Sequence, residues 1–79
     1  MKIQAGEIIT LDNNKEYICC ATASDNGTDY VYLMSNFKPL EIRFAKQKII
    51  DGEVEITIVG KHEEKQKVLN LFQEQNKVN

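Results

Sequence analysis

The sequence predicts a mainly β, α+β fold in which a four- to five-stranded antiparallel meander sheet is followed by one C-terminal helix. Three observations support this fold class. Short segments rich in Val, Ile, Thr and Tyr alternate with turn residues up to Val59. Two of the turns, Asn26-Gly27 and Asp51-Gly52, carry the strongest short-range hairpin signal. After Gly60 the apolar residues change to helical spacing.

Length and composition predict one ordered domain over residues 1–79. The chain is 42% hydrophobic and 28% charged, with a single proline, which is typical of a globular protein rather than a disordered segment. Ten basic and twelve acidic residues give a formal net charge of -2. No overall field therefore draws the chain to nucleic acid or to an anionic membrane, and only a local basic surface could do so.

Cysteine usage and hydropathy predict a cytoplasmic location. Cys19 and Cys20 are adjacent in a predicted strand, where neighbouring side chains point to opposite faces, so we expect two free thiols. Free thiols fit a reducing compartment. The N-terminus lacks the apolar segment of a signal peptide, and no apolar run approaches the ~20 residues that span a bilayer. We therefore expect no membrane partner.

The first two strands are predicted at about 7–11 and 15–24. Between them, Asp12-Asn13-Asn14 tolerates turn geometry. If the two asparagines form a two-residue turn, Ile9 lies opposite Ile18.

The third strand, predicted at 29–35, is central and pairs with the second through a type I′ turn at Asn26-Gly27. This turn sets Ala21 opposite Tyr32 and Cys20 opposite Leu33. The pairing separates two faces, and both are apolar. The first face carries Ile9, Leu11, Ile18, Cys20, Val31 and Leu33. The second face carries Tyr17, Cys19, Ala21, Ala23, Tyr30, Tyr32 and Met34. Because antiparallel sheets commonly have one solvated face, another element must cover the second face.

The fourth and fifth strands are predicted at about 40–50 and 53–59, joined by Asp51-Gly52 with Ile49 opposite Val54. The apolar alternation slips by one residue within the fourth strand, so we predict a β-bulge or a sharp bend near Phe44-Ala45.

A helix is predicted at about 61–75. Its apolar residues recur at helical spacing. They are Val68, Leu69, Leu71 and Phe72.

No group of residues in the sequence predicts catalysis or metal binding. His62 is the only histidine, and no serine or cysteine is placed near it as a nucleophile. The adjacent cysteines lack the further ligands of a zinc site. The four glycines occur singly, so there is no phosphate-binding loop. We therefore predict a protein that is not an enzyme and has no cofactor.

Two surfaces are candidates for binding. The first is the aromatic part of the second sheet face, which favours a protein partner because Tyr and Met are enriched at interfaces. It consists of Tyr17, Tyr30, Tyr32 and Met34. The alternative, which we favour by about two to one, is that this face is core beneath a covering element.

The second candidate is a run of basic residues along the fourth strand. It consists of Lys38, Arg43, Lys46 and Lys48. Such a run could hold phosphates of a nucleic acid, with tyrosines stacking on bases. A solvated strand face is the favoured alternative, by about three to one.

Three segments carry a resemblance to known proteins: GEIITLDNNKEYIC, NGTDYVYLM and EKQKVLNLFQE. Together they resemble the small, Lys/Glu/Asn-rich β proteins of low-GC Gram-positive bacteria and their mobile elements. The layout is also similar to a small SH3-like barrel, in which five short strands curl around one core. The resemblance implies a bacterial protein and, because SH3-like barrels typically serve as binding modules, an interaction function.

These observations lead to two functional hypotheses. The leading one is a non-enzymatic, cytoplasmic protein-interaction module that binds a protein partner, or a second copy of itself, through the tyrosine-rich face or a strand edge. The alternative is a nucleic-acid-binding domain that uses the basic run between Lys38 and Lys48.

Overall fold

The computed structural model describes residues 2–75, which form a five-stranded antiparallel sheet, curled into a half-barrel, and one helix. The elements are β1 (Ile8–Thr10), β2 (Glu16–Asp25), β3 (Thr28–Ser35), β4 (Ile42–Ile50), β5 (Glu53–Ile58) and α1 (His62–Gln75). The strands follow the order β1-β2-β3-β4-β5, so each strand pairs with the next one in sequence. The predicted fold class is confirmed, and β1 and β5 are the two free edges of the sheet.

Two of the three predicted hairpin turns have the expected geometry. Asn26 and Gly27 have φ angles of 51° and 78°, and Asp51 and Gly52 have 51° and 82°, as a type I′ turn requires. Both predicted registers hold beside their turns, with Ala21 opposite Tyr32 and Ile49 opposite Val54. The predicted pairing of Cys20 with Leu33 is wrong, because Cys19 lies opposite Leu33. These two turns therefore fix the pairing of β2 with β3 and of β4 with β5.

The β1–β2 loop contains one residue more than the predicted two-residue turn. The Leu11 N–H donates to the Lys15 carbonyl at 3.0 Å, and the Asn14 N–H donates to the Leu11 carbonyl at 2.8 Å. Asn14 adopts a left-handed φ of 67°, as the last residue of a three-residue hairpin loop does. Ile9 consequently lies opposite Tyr17 instead of Ile18.

A β-bulge occurs in β2 and not in β4. The β2–β3 register shifts between Cys19 and Ala21, which leaves Cys20 as the extra, exposed residue and sets Cys19 opposite Leu33. The predicted bulge near Phe44-Ala45 is wrong, because β4 keeps an unbroken register with both neighbours. Phe44 and Ala45 therefore face opposite sides of the sheet.

The inner face of the half-barrel holds the first core. Its buried apolar residues are Ile3, Tyr17, Cys19, Val31, Leu33 and Ala45, against which Ile9, Leu11, Phe37, Val54 and Ile56 pack. The expectation that Tyr17 and Cys19 share a face with Ala21 is wrong, because the bulge at Cys20 reverses the alternation along β2.

The N-terminal segment crosses the inner face and is held there by polar contacts. The buried Gln47 side chain accepts a bond from the Ile3 N–H at 2.6 Å and donates to the Ile3 carbonyl at 2.9 Å. Lys2 forms an ion pair with Asp29 at 2.8 Å. The hydrogen bonds from Lys2 and from Ser24 lower the pKa of Asp29.

Helix α1 covers the other face, which we call the helix face, at the end of the sheet nearest the Asn26-Gly27 turn. Val68 and Phe72 are buried there against residues of β2, β3 and the segment after β5, namely Ala23, Tyr30 and Val59. Small side chains on β2 allow the helix to approach the sheet closely. Lys46 and Glu64 form an ion pair at 2.8 Å between sheet and helix, which raises the pKa of Lys46.

Candidate functional site

The predicted aromatic residues lie in two different environments. Tyr17 is fully buried in the inner core, where its hydroxyl donates to Glu41 Oε1 at 3.0 Å. Tyr30 is 4% exposed beneath the helix. Tyr32, half-buried, makes edge contacts with the rings of Phe44 and Phe72. The structure therefore brings Tyr30 and Tyr32 together under α1 and separates Tyr17 from them.

Met34 lies on the helix face beyond the region that α1 covers. Pairing across four strands places it in one row with three isoleucines, Ile8, Ile18 and Ile42. Ile8 is 59% exposed and Ile42 is 43% exposed. Met34 is thus part of an apolar row that is partly open to solvent.

The predicted basic residues do not form one surface. Arg43 lies opposite Leu33 on the inner side and donates to Glu41 Oε1 at 3.1 Å, while Lys46 is paired with Glu64 on the helix face. Lys48 is on the helix face at the far end of β4, and Lys38 is in the β3–β4 loop. The structure divides the three cations of β4 between the two faces, leaves Lys38 in a loop, and pairs Arg43 and Lys46 with carboxylates.

A cleft of about 910 Å³ lies between the two edges of the half-barrel. Residues of β1, of the β1–β2 loop, of the β4–β5 turn and of β5 line it, although β1 and β5 do not pair with each other. Its apolar side chains come mainly from the inner core. They are Ile3, Ile9, Leu11, Ile50, Val54, Ile56 and Ile58.

The backbone of β5 faces this cleft with unpaired groups. The Val59 N–H donates to the Phe44 carbonyl at 2.8 Å, which sets the phase of the β4–β5 ladder. In an antiparallel pair every second residue turns its N–H and C=O away from its neighbour. Those residues in β5 are Val54, Ile56 and Ile58, and within residues 2–75 no strand pairs with that edge.

The charged residues that line the cleft are all acidic. They are Glu7, Asp12, Asp51, Glu53 and Glu55. Among the described residues, none of these five carboxylates forms an ion pair with lysine or arginine. The cleft therefore combines an apolar floor, an open strand edge and a negative rim.

The residues with intrinsic chemical reactivity are not gathered at this cleft. Burial raises the pKa of the Cys19 thiol, whose Sγ lies 3.5 Å from the Ala21 carbonyl, and Cys20 is a free, exposed thiol in the bulge. His62 is exposed at the start of α1. Within residues 2–75, no three His, Cys, Asp or Glu side chains are grouped so that they could hold a metal ion.

Sequence reasoning named the strand edge as a possible site but did not identify the cleft. The acids around it are visible as single residues, at positions as far apart as Glu7 and Glu55. Only the curl of the whole sheet brings them to one opening. The signal in the sequence that could have found this cleft is the last strand, in which apolar residues alternate with glutamates.

No family model matches this chain, and no match was found among the curated proteins or the solved structures. In the described part of the chain, no helix has both the length and the hydrophobicity needed to cross a bilayer.

Proposed function

We propose that this chain is a non-enzymatic, cytoplasmic protein-interaction module whose binding site is the cleft between β1 and β5. The observation that carries the proposal is the open edge of β5, where Val54, Ile56 and Ile58 present unpaired backbone groups above an apolar floor. Such an edge is a template for another strand, and strand addition is a common mode of peptide recognition. The resemblance to SH3-like barrels and the free thiols Cys19 and Cys20 agree with a binding module in a reducing compartment.

A protein partner is favoured over nucleic acid by the distribution of charge. The cations predicted to hold phosphate are divided between two faces, and Arg43 and Lys46 are paired with glutamates. The cleft is lined by acids, which repel a phosphate backbone.

The test is an NMR titration of the ¹⁵N-labelled chain with a neutral, extended heptapeptide of alternating Thr and Val. We expect shifts concentrated in β5 and β1, and an affinity that Ile58→Ser lowers about five-fold by removing apolar contact. Ile42→Ser is the matched control, because Ile42 and Ile58 are strand residues with 43% and 41% exposure, and it should leave the affinity unchanged.

Two outcomes would contradict the proposal. A loss of affinity in Ile42→Ser, with Ile58→Ser unaffected, would move the site to the apolar row that contains Met34. Shifts at Lys46 and Lys48 on addition of single- or double-stranded oligonucleotide at low salt would favour the nucleic-acid function instead.

A further inference from the structure

The geometry of β5 points to the class of segment that the cleft binds, an inference that rests on the proposed function. We propose that the partner is an extended peptide in which apolar residues alternate with lysine or arginine, added as a sixth strand along β5.

The backbone fixes where the guest strand pairs. The outward-facing groups of Val54, Ile56 and Ile58 recur every second residue, a repeat of about 6.8 Å, which matches the bonding repeat of an added antiparallel strand. The β1 edge is the weaker template, because β1 has three residues whereas β5 has six.

The inner side chains require apolar residues in the guest. The residues of β5 that offer free backbone groups also point their side chains to the inner face, where Val54 and Ile56 pack against the core. A guest residue placed directly opposite them points to the same face. It therefore enters the apolar floor of the cleft, next to Ile9 and Leu11.

The β5 side chains on the helix face require basic residues in the guest. The alternate guest residues lie opposite Glu53, Glu55 and Thr57, on this helix face. Lys48 is the cross-strand neighbour of Glu55, yet the two do not form an ion pair, and within residues 2–75 no lysine or arginine is paired with Glu53 either. Both glutamates of β5 can therefore bind a cation. Opposite charges placed directly across two strands stabilise their pairing.

The same charges disfavour a second copy of this chain as the occupant. Antiparallel pairing of β5 with its own copy would bring two more glutamates, Glu53 and Glu55 of the second copy, into the same row without adding a cation. Like charges in neighbouring strand positions destabilise pairing. Charge complementarity therefore selects a basic segment.

The experiment compares three labelled heptapeptides that share their valines and carry Lys, Thr or Glu at the alternating positions. Anisotropy titrations at low and high salt give their affinities for the intact chain. With each matched charge pair contributing roughly a two- to five-fold change, we expect the Lys peptide to bind about ten-fold or more tighter than the Glu peptide. The difference should shrink at high salt.

Charge variants locate the effect on β5. Glu53→Gln/Glu55→Gln should remove most of the preference for the Lys peptide and leave the affinity for the Thr peptide unchanged. Glu63→Gln/Glu74→Gln is the control, because both residues are exposed on α1 and the net charge changes equally. A preference that survives in the β5 variant, or disappears in the control, would overturn the assignment.

The possible failures are distinguishable. Equal binding of the three peptides would overturn the basic partner while keeping strand addition at the cleft. Absence of binding by all three, the Thr peptide included, would overturn the proposed function as well. A dimer that dissociates on Ile58→Ser, measured by light scattering, would make a second copy the occupant and overturn the basic peptide.

Discussion

The side chain of Gln47 pairs with the backbone of Ile3 as a neighbouring strand would. Its side-chain amide has a donor and an acceptor in the same arrangement as a peptide group, and both are used by the Ile3 backbone. Ser35, the other buried polar residue of the described chain, is used in the same way, accepting from the Glu41 N–H at 2.8 Å and donating to the Phe37 carbonyl at 3.0 Å. Both buried polar side chains therefore satisfy backbone groups of residues that lie outside the strands.

Gln47→Glu tests this role through pH. A protonated carboxyl can replace both bonds of the amide, whereas a carboxylate cannot donate to the Ile3 carbonyl. The folded state therefore favours the protonated form, and the pKa of the introduced carboxyl rises above its unfolded value of about 4.3. The loss of stability relative to the wild type should be small near pH 4 and grow as the pH rises through that folded-state pKa.

Urea denaturation of both proteins across this pH range measures the difference. Gln47→Ala is the control: it leaves the Ile3 groups unpaired at every pH and should cost roughly 1–3 kcal/mol throughout. A deficit in Gln47→Glu that does not change with pH would contradict the bonding assigned to Gln47.

Among the elements, α1 is joined to the sheet by an aromatic cluster. Phe72 is stacked on Phe44 with ring centroids 5.8 Å apart and meets Tyr32 edge-on at the same distance. The small side chains of Ala21 and Ala23 lie beside this cluster on β2. Because Phe72 is 3% exposed, its ring contributes apolar burial that no neighbouring residue can replace.

Phe72→Ala should lower the free energy of unfolding by roughly 3–5 kcal/mol, as large-to-small changes of buried phenylalanine do. Gln73→Ala, one position further along the exposed side of the helix, should change it by less than about 0.5 kcal/mol. Both values come from urea unfolding followed by circular dichroism. A loss below about 1 kcal/mol in Phe72→Ala would contradict the burial and ring contacts assigned to Phe72.

Some features of the strands and turns could be predicted from the sequence, and others could not. Asn26-Gly27 and Asp51-Gly52 were readable because their backbone conformation is specified by two residues alone. The bulge at Cys20 was not, since either of two adjacent cysteines fits a buried or an exposed position equally well. One unnoticed extra residue then assigned Tyr17 to the wrong face, because strand side chains alternate with a period of two.

The open edges are a property of the whole sheet, and local sequence patterns could not predict them. Whether β1 and β5 meet depends on the twist and curl summed over all five strands, and no single segment encodes that sum. The acidic residues of the cleft were therefore not predicted as parts of one site. These acidic residues line one opening because the sheet curls into a half-barrel.

Amide hydrogen exchange of the free chain should report this edge directly. In β5 the amides of Glu55 and Thr57 point to β4, whereas those of Val54, Ile56 and Ile58 point to the cleft, so protection should alternate by about ten-fold or more along the strand. The central strand β3, bonded on both sides, should show no such alternation. Uniform protection along β5, measured by NMR, would mean that the edge is already covered.

The meander order also determines how the chain reaches its fold. Each strand pairs with its predecessor, so the sheet assembles from contacts that are close in sequence, and folding is faster when contacts are local. The bonds between Ile3 and Gln47 join residues 44 positions apart and can form only after β4 is in place. A closed barrel of the same length must in addition join its first and last strands, the contact with the largest loss of chain entropy. Because β1 and β5 do not pair, this chain folds without that entropy cost.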